Sequence, residues 1–448
     1  MKKIVLILSA VVLLTGCYKD DINDLKKEVS ELKERMALYE SLLDALNKQL
    51  YVVSYEVKDG YYVITMSDGS KLTASNCAIT LADGVMIFTF ADGRSISIDA
   101  SVPDVAVITE AAIDKMKWLH IQPQVTSTSG VIYKWLLDGE EISDEKDLRC
   151  VFAEAGTYQL ELKAKNGMGE SVHTVTVTVN DRTCVNGITR VFEYLPAPGQ
   201  FINMLPAATA DDTPETMRQK AETALTGGSM ISLGGFGGYV VFGFDHTVVN
   251  RAGNDFTVLG NAFAGSAEPG VIMVSFDANG NGLPDDEWYE IAGSEYNKPA
   301  TVKNYEITYF KPETEPTDAN EPNYIRWTDN QGQSGYLSKN SYHTQTYYPM
   351  WKGDSYTLKG TLMEANNYDQ SGSGSMWVSP VYDWGYADNF PNTDARAQID
   401  IDWAVNANGN PVRLKGIDFV KVYTANRTEG GWLGEVSTEV AGFTDLNL

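Results

Sequence analysis

Cysteine and histidine are scarce, with four of each in 448 residues. Cys17, Cys77, Cys150 and Cys184 are too few and too widely spaced for a disulfide framework or a CxxC metal pair. A Cys150–Cys184 bridge and free buried thiols both remain open. His120, His173, His246 and His343 show no metal-ligand spacing, and neither His-Glu-x-x-His nor Gly-x-Ser-x-Gly occurs. Positive charge is also short, 35 Lys and Arg against 60 Asp and Glu, and the net charge of -25 repels nucleic acid and other polyanions. Gly227-Gly228 and Gly234 to Gly238 lack the Gly-Lys-Ser/Thr of a phosphate loop, so they read as turns between strands. Carboxylates abound, yet no pair stands out for hydrolysis or elimination; Asp383, Asp388, Asp400 and Asp402 read as turn caps or solvated groups. The residues thus mark no catalytic site and no catalytic cofactor. After residue 17 no apolar run is long enough to span a bilayer.

What is present begins with Lys2 and Lys3, the apolar stretch Ile4 to Leu14, and Leu14-Thr15-Gly16-Cys17. Two positive charges, a short apolar core and a small-residue cut site ending on Cys make a lipoprotein signal, with Cys17 as the lipidated residue. Lys19-Asp20-Asp21 sits where surface lipoproteins of the Bacteroidota carry an acidic export tag and resembles it. The expected location is the outer membrane, lipid-anchored and facing outward.

From Ile22 to Leu50 apolar residues recur at alternating steps of three and four, through Leu25, Val29, Leu32, Met36, Tyr39, Leu43 and Leu46. This heptad seam predicts a coiled-coil stalk over 18–50, roughly 40 Å long, that self-associates or packs on the next domain. Over 51–100, alternating apolar residues flank Asp68-Gly69 and again Asp92-Gly93, which predicts a module of two β-hairpins. Heptads followed by such hairpins resemble the N-terminal spacer of Bacteroidota surface lipoproteins, some polysaccharide lyases among them. Over 101–181, Tyr133-Lys134-Trp135, Gly156-Thr157-Tyr158 and Asn166-Gly167 resemble the PKD-like members of the immunoglobulin-type sandwiches, whose Trp fills the core between two sheets. The remainder, 185–448, is β-rich with long polar, aromatic loops and one helical stretch, Thr216 to Leu225; a large β-sandwich or jelly roll is expected. The fold class is thus mainly β and multidomain.

Two features of 185–448 bear on ligands. Asp277, Asn279, Asn281 and Asp285 surround glycines in a short acidic loop that suits a hard cation such as calcium, although Trp288 stands where an EF-hand has its bidentate Glu. Asx-turns without metal give the competing reading. Aromatics crowd residues 324–386, interleaved with Asn, Asp and Ser. Rings in polar loops suit a large, rigid, partly apolar ligand, and the expected contacts are His343, Tyr347, Tyr348, Trp351, Trp377, Asp383, Trp384, Tyr386 and Asn389.

Several phrases together carry a further resemblance: Gly253-Asn254-Asp255-Phe256, Glu268-Pro269-Gly270-Val271, Asp286-Glu287-Trp288-Tyr289, Asp400-Ile401-Asp402-Trp403 and Gly416-Ile417-Asp418-Phe419. They look like the lipoproteins of Bacteroidota cobalamin-uptake loci, the BtuH-like cobalamin-binding proteins, over most of 185–448. The resemblance implies a non-enzymatic protein that binds cobalamin or a related corrinoid outside the cell and passes it to a TonB-dependent outer-membrane transporter. A glycan-binding surface lipoprotein and a polysaccharide lyase are the alternative readings.

Overall fold

The computed structural model describes residues 19–75, 77–82, 84–125 and 131–448. Cys17 and the signal lie outside them. Within the described residues no helix is long and apolar enough to cross a membrane. The protein is mainly β and multidomain, and contacts divide it into two compact units. The first gathers most residues up to 178, and the second holds 179–448 with the short segments 113–119 and 150–155. Stalk, hairpins and most of the sandwich thus belong to one unit instead of standing as separate domains.

In the first unit, α1 (Lys19–Asn47) is the expected helix. Leu38, Leu42 and Ala45 bury themselves among Ile64, Met66, Met86, Phe88 and Ile98 of the following strands. These three are not seam residues; Ile22, Leu25, Leu32 and Met36 of the seam are exposed. The expected two hairpins are two three-stranded antiparallel sheets, Val52–Lys58, Tyr61–Met66, Lys71–Ala74 and Cys77–Ala82, Val85–Phe90, Ser95–Asp99. Both Asp-Gly turns form as read: Gly69 and Gly93 sit at φ 81° and 82°, where glycine meets no steric penalty. Asp68 and Asp92 accept from the backbone N–H groups of Ser70 and Arg94. In a five-stranded sheet of this unit, Trp135 is fully buried, with its indole N–H donating to the Lys146 carbonyl 3.1 Å away. Cys77, Cys150 and Cys184 are free thiols, and burial pushes Cys150 up to about 12.

The second unit is built on a six-stranded antiparallel sheet in the order Arg190–Leu195, Tyr239–Val249, Gly416–Thr424, Gly270–Ser275, Tyr289–Ile291, Ala404–Val405. Val240, Phe242, Ile272, Val274, Val420 and Val422 pack on Phe256, Val258, Ile399 and Phe443 of a three-stranded sheet and on Met217, Ala221 and Leu225 of α2 (Pro214–Thr226). The helix starts where Thr213 and Thr216 form a capping box, with Pro214 in the first turn. A four-stranded sheet, Ser334–Lys339, Glu321–Asp329, Val302–Phe310, Ser355–Leu362, has its own core of Tyr305, Tyr309, Tyr324, Tyr347, Tyr348 and Tyr356 with Phe236 and Ile307. Tyrosine fills this core because the hydroxyls reach backbone carbonyls: Tyr309 donates to Phe236, Tyr348 to Gly353, and Tyr356 to Pro196.

Candidate functional site

Burial removes four of the expected ligand contacts from any surface. Tyr347, Tyr348, Tyr386 and Asn389 are each at most 1% exposed. Tyr347 accepts from the Asn340 N–H, the Tyr386 hydroxyl accepts from the Glu295 N–H, and Asn389 ties the backbone of Tyr382 at both polar groups. Trp351 is half-buried, stacked 6.3 Å from Tyr194. His343 stands edge-on to Phe201 at 4.8 Å, and burial lowers its pKa. Asp383 and Trp384 are exposed, but Trp384 packs at 4.6 Å against Trp403, away from the tyrosine core. The structure therefore does not bring the nine residues into one site.

A cleft of about 260 Å³ opens instead at the edge of the four-stranded sheet, lined by Phe236, Tyr309, Trp327, Tyr336, Arg427, Glu429 and Glu435 among others. One wall is a stacked plate. The Arg427 guanidinium lies 4.1 Å over the Trp327 ring and donates to the Tyr305 hydroxyl (2.6 Å), Asp329 Oδ2 (3.0 Å) and Gln333 Oε1 (3.1 Å). Gly335, opposite Trp327 in the strand register, leaves room for that ring; a Cβ there would come within 2.5 Å of it. Glu435, 3% exposed, accepts from the Gln200 N–H at 2.6 Å, while its Oε2 has no hydrogen-bond partner among the described residues. Burial raises its pKa well above the ordinary carboxylate range.

The loop from Glu429 to Glu435 forms the rim. Gly430 N–H donates to the Gly434 carbonyl, and Gly431 and Gly434 adopt φ of 60° and 84°. This tight turn presents Trp432, 47% exposed, with its ring 5.9 Å from Tyr342, itself 70% exposed. Trp377 supports the turn from beneath, since a Cβ on Gly431 would collide with its indole nitrogen. Gln200 ties the neighbouring loops together, donating to the Leu433 carbonyl and accepting from Asn340, whose side-chain oxygen takes the Tyr342 N–H. Exposed Tyr336 thus lines the cleft, while the exposed Tyr342–Trp432 pair sits on the hydrogen-bonded loop that joins two lining residues, Glu429 and Glu435. Trp432 lies outside the aromatic-rich stretch; its signal in the sequence was Gly430-Gly431-Trp432-Leu433-Gly434, a ring between turn-forming glycines. Arg427 and Glu435 had no such signal.

The acidic loop is closed by its own groups. Asp277 accepts from the N–H groups of Gly280, Asn281 and Gly282, and the side-chain amides of Asn279 and Asn281 both donate to Asp285 at 2.9 Å. These Asx contacts use the oxygens a cation would need and turn amide nitrogens toward Asp285. Replacing Asp277 with Ala leaves the Gly280 and Gly282 N–H groups without an acceptor, while Asn281 N–H keeps Asn279 Oδ1, and should cost about 1 kcal/mol, read as a lower melting temperature. Melting in calcium against EDTA tests the cation: an unchanged temperature leaves the Asx-turns as the full account, and a rise of several degrees requires an ion.

Two further clusters are enclosed. His246 is clamped between Asp245 (2.9 Å) and Asp445 (3.1 Å) near Cys184. Burial alone would lower the His246 pKa, but the two carboxylates, Asp445 foremost, raise it. Its side chain has no exposed surface, and burial raises the Cys184 thiol, so no activated nucleophile results. Glu268, Asp388 and Glu439 bring carboxylate oxygens within 4.8 Å of one another. Asp388 accepts from the N–H groups of Asn261, Ala262 and Glu439, and Glu439 accepts from the Ser437 hydroxyl.

No family model matches the chain. No curated protein matches it either. Among solved structures, a putative α-galactosidase from Bacteroides fragilis is 14% identical over 22% of this chain and 20% of its own, with a TM-score of 0.16. A quinonprotein alcohol dehydrogenase-like protein from Bacteroides thetaiotaomicron is 14% identical over 54% of this chain and 50% of its own, TM-score 0.17. The titin domains z1z2 in complex with telethonin are 16% identical over 30% of this chain and 98% of their own, TM-score 0.16. The chain thus spans half or less of the first two structures, and none of these likenesses says anything about activity.

Proposed function

We propose that this protein is a lipid-anchored lipoprotein of the outer membrane surface, attached through Cys17, that captures cobalamin or a related corrinoid for a TonB-dependent transporter. The observation that supports this reading is the cleft lined by Tyr336 together with the exposed Tyr342–Trp432 pair on the adjoining 429–435 loop. Tyr336, Tyr342 and Trp432 offer apolar faces on loops already fixed by hydrogen bonds, so little conformational freedom is lost on binding. A cleft of about 260 Å³ cannot enclose a corrin, so the macrocycle would rest on the rim with one amide arm in the cleft. There Arg427 and Glu435 provide a donor and a polar partner. Arg427 is held in place by Tyr305, Asp329 and Gln333, and Glu435 is anchored at one oxygen, which suits fixed contacts to a bound ligand.

Calorimetry with cyanocobalamin is the test, on the full chain and alongside a glycan panel. A Kd below about 1 μM is expected, weakened at least tenfold by Trp432→Ala. No heat at tens of micromolar overturns the corrinoid reading, binding of a glycan alone replaces it, and product release from an acidic glycan would make the protein a lyase.

A further inference from the structure

The exposed heptad seam of α1 fits a second copy of this chain. Its a positions are Ile22, Val29, Met36 and Leu43, and its d positions Leu25, Leu32, Tyr39 and Leu46. Helix burial in the structure is offset from this seam. Leu38, Leu42 and Ala45, at 6%, 0% and 3% exposure, occupy c and g positions and hold the helix to its own β-strands. Ile22, Leu25, Leu32 and Met36 remain 51–57% exposed, and Leu43 and Leu46 about as much as each other at 40% and 41%. Of the seam itself, Tyr39 packs edge-on to Phe90 at 5.7 Å; Ile22, Leu25, Leu32 and Met36 form a second apolar stretch that the single chain leaves exposed.

Charge identifies the occupant of that stretch. In a parallel, in-register pair, each g residue faces the e residue five positions on in the opposite helix. Glu28 then meets Lys33 of the second copy, and Arg35 meets Glu40, attractive in both directions across the pair. β-Branched Ile22 and Val29 at a with Leu25 and Leu32 at d favour two strands over three. We propose that α1 forms a parallel two-stranded coiled coil between two copies of this chain, through residues 22–46. The first unit of each copy keeps its own contacts, because Leu38, Leu42, Ala45 and one side of Tyr39 stay with the β-strands while the exposed a and d residues from Ile22 to Met36 make most of the interface. The interface is independent of the ligand, so it stands or falls apart from the corrinoid reading.

Sedimentation equilibrium on residues 18–448 tests it. The expected mass is twice that of the monomer at tens of micromolar. Leu25→Asp with Leu32→Asp should give a folded monomer whose melting temperature no longer depends on concentration and equals that of the wild-type chain diluted below the dimer's dissociation constant, since both side chains are solvent-exposed in the single chain. Leu25→Cys should oxidise to a covalent dimer, a product that an antiparallel pair cannot form because the two d positions would lie at opposite ends. Glu28→Lys should weaken the dimer several-fold, and adding Lys33→Glu should restore it. A wild-type chain that stays monomeric to about 100 μM overturns the proposal, as does a trimer mass or a dimer that survives the double Asp variant.

Discussion

Raising the pH from 5 to 8.5 should lower the melting temperature of the second unit by roughly 5–10 °C. The cause is the enclosed trio Glu268, Asp388 and Glu439. Burial, and then the mutual repulsion of the carboxylates, favours their neutral forms: Asp388 is pushed up to about 6, Glu439 to about 8, and Glu268 well above its ordinary range. Glu268 is partly exposed as a residue, yet its carboxyl end lies within the cluster. In the unfolded chain these groups ionise near pH 4. Between there and pH 8 the folded state holds more protons than the unfolded one, so stability falls as pH rises through this window. His246, whose pKa is raised by its two carboxylates, works in the same direction, because its extra stability is full in acid and lost as pH rises. Asp245 and Asp329, lowered by folding, oppose this only at the acid end, where protonating them costs stability. The maximum should therefore fall near pH 5. Melting curves in EDTA, which keeps divalent cations from neutralising the trio, measure the slope. Glu439→Gln retains a polar side chain of the same shape beside Ser437 without the charge, and should flatten the alkaline part of the profile. A level profile from pH 5 to 8.5 in the wild-type chain would show that the three groups share the site as anions.

Local rules were legible wherever chemistry acts over a few residues. The Asp-Gly turns, the helical stretch from Thr216 to Leu225 and the Trp135 core follow from adjacent side chains. Contacts between distant segments were not. The three acids of the trio lie at 268, 388 and 439, and nothing in the chain marks them as neighbours. The heptad seam was read correctly as an apolar period, but Leu38, Leu42 and Ala45 show that a helix can carry a second apolar stripe which period counting passes over. Two three-stranded sheets stand where two hairpins were expected because each Asp-Gly pair marks one turn, while Asp59-Gly60 provides another at φ of 51° and 81°. Oxygen spacing over 277–285 admitted both calcium and Asx-turns, because spacing does not show which oxygens accept from loop N–H groups.

The aromatic reading failed and succeeded for one physical reason, and a pair of substitutions should separate the two cases. A tyrosine in a polar stretch is compatible with burial when a backbone group meets its hydroxyl, and so Tyr347 is core. Its ring packs edge-on to Tyr324 at 5.4 Å, and Lys339 lies over it at 5.8 Å. Tyr347→Ala should therefore cost about 3–5 kcal/mol, a fall of roughly 10 °C in melting temperature, because the surrounding sheet cannot close the void. Trp432 is placed by a glycine turn instead, with half its surface in water. Trp432→Ala should move the melting temperature by no more than about 2 °C and lower affinity for cyanocobalamin at least tenfold. Scanning calorimetry and titration on the same two variants give the result. If Tyr347→Ala leaves stability intact, the tyrosine core of the four-stranded sheet is misassigned. If Trp432→Ala leaves affinity intact while the wild-type chain binds, the ligand sits elsewhere, and exposed Trp384 beside Trp403 is the next face to substitute.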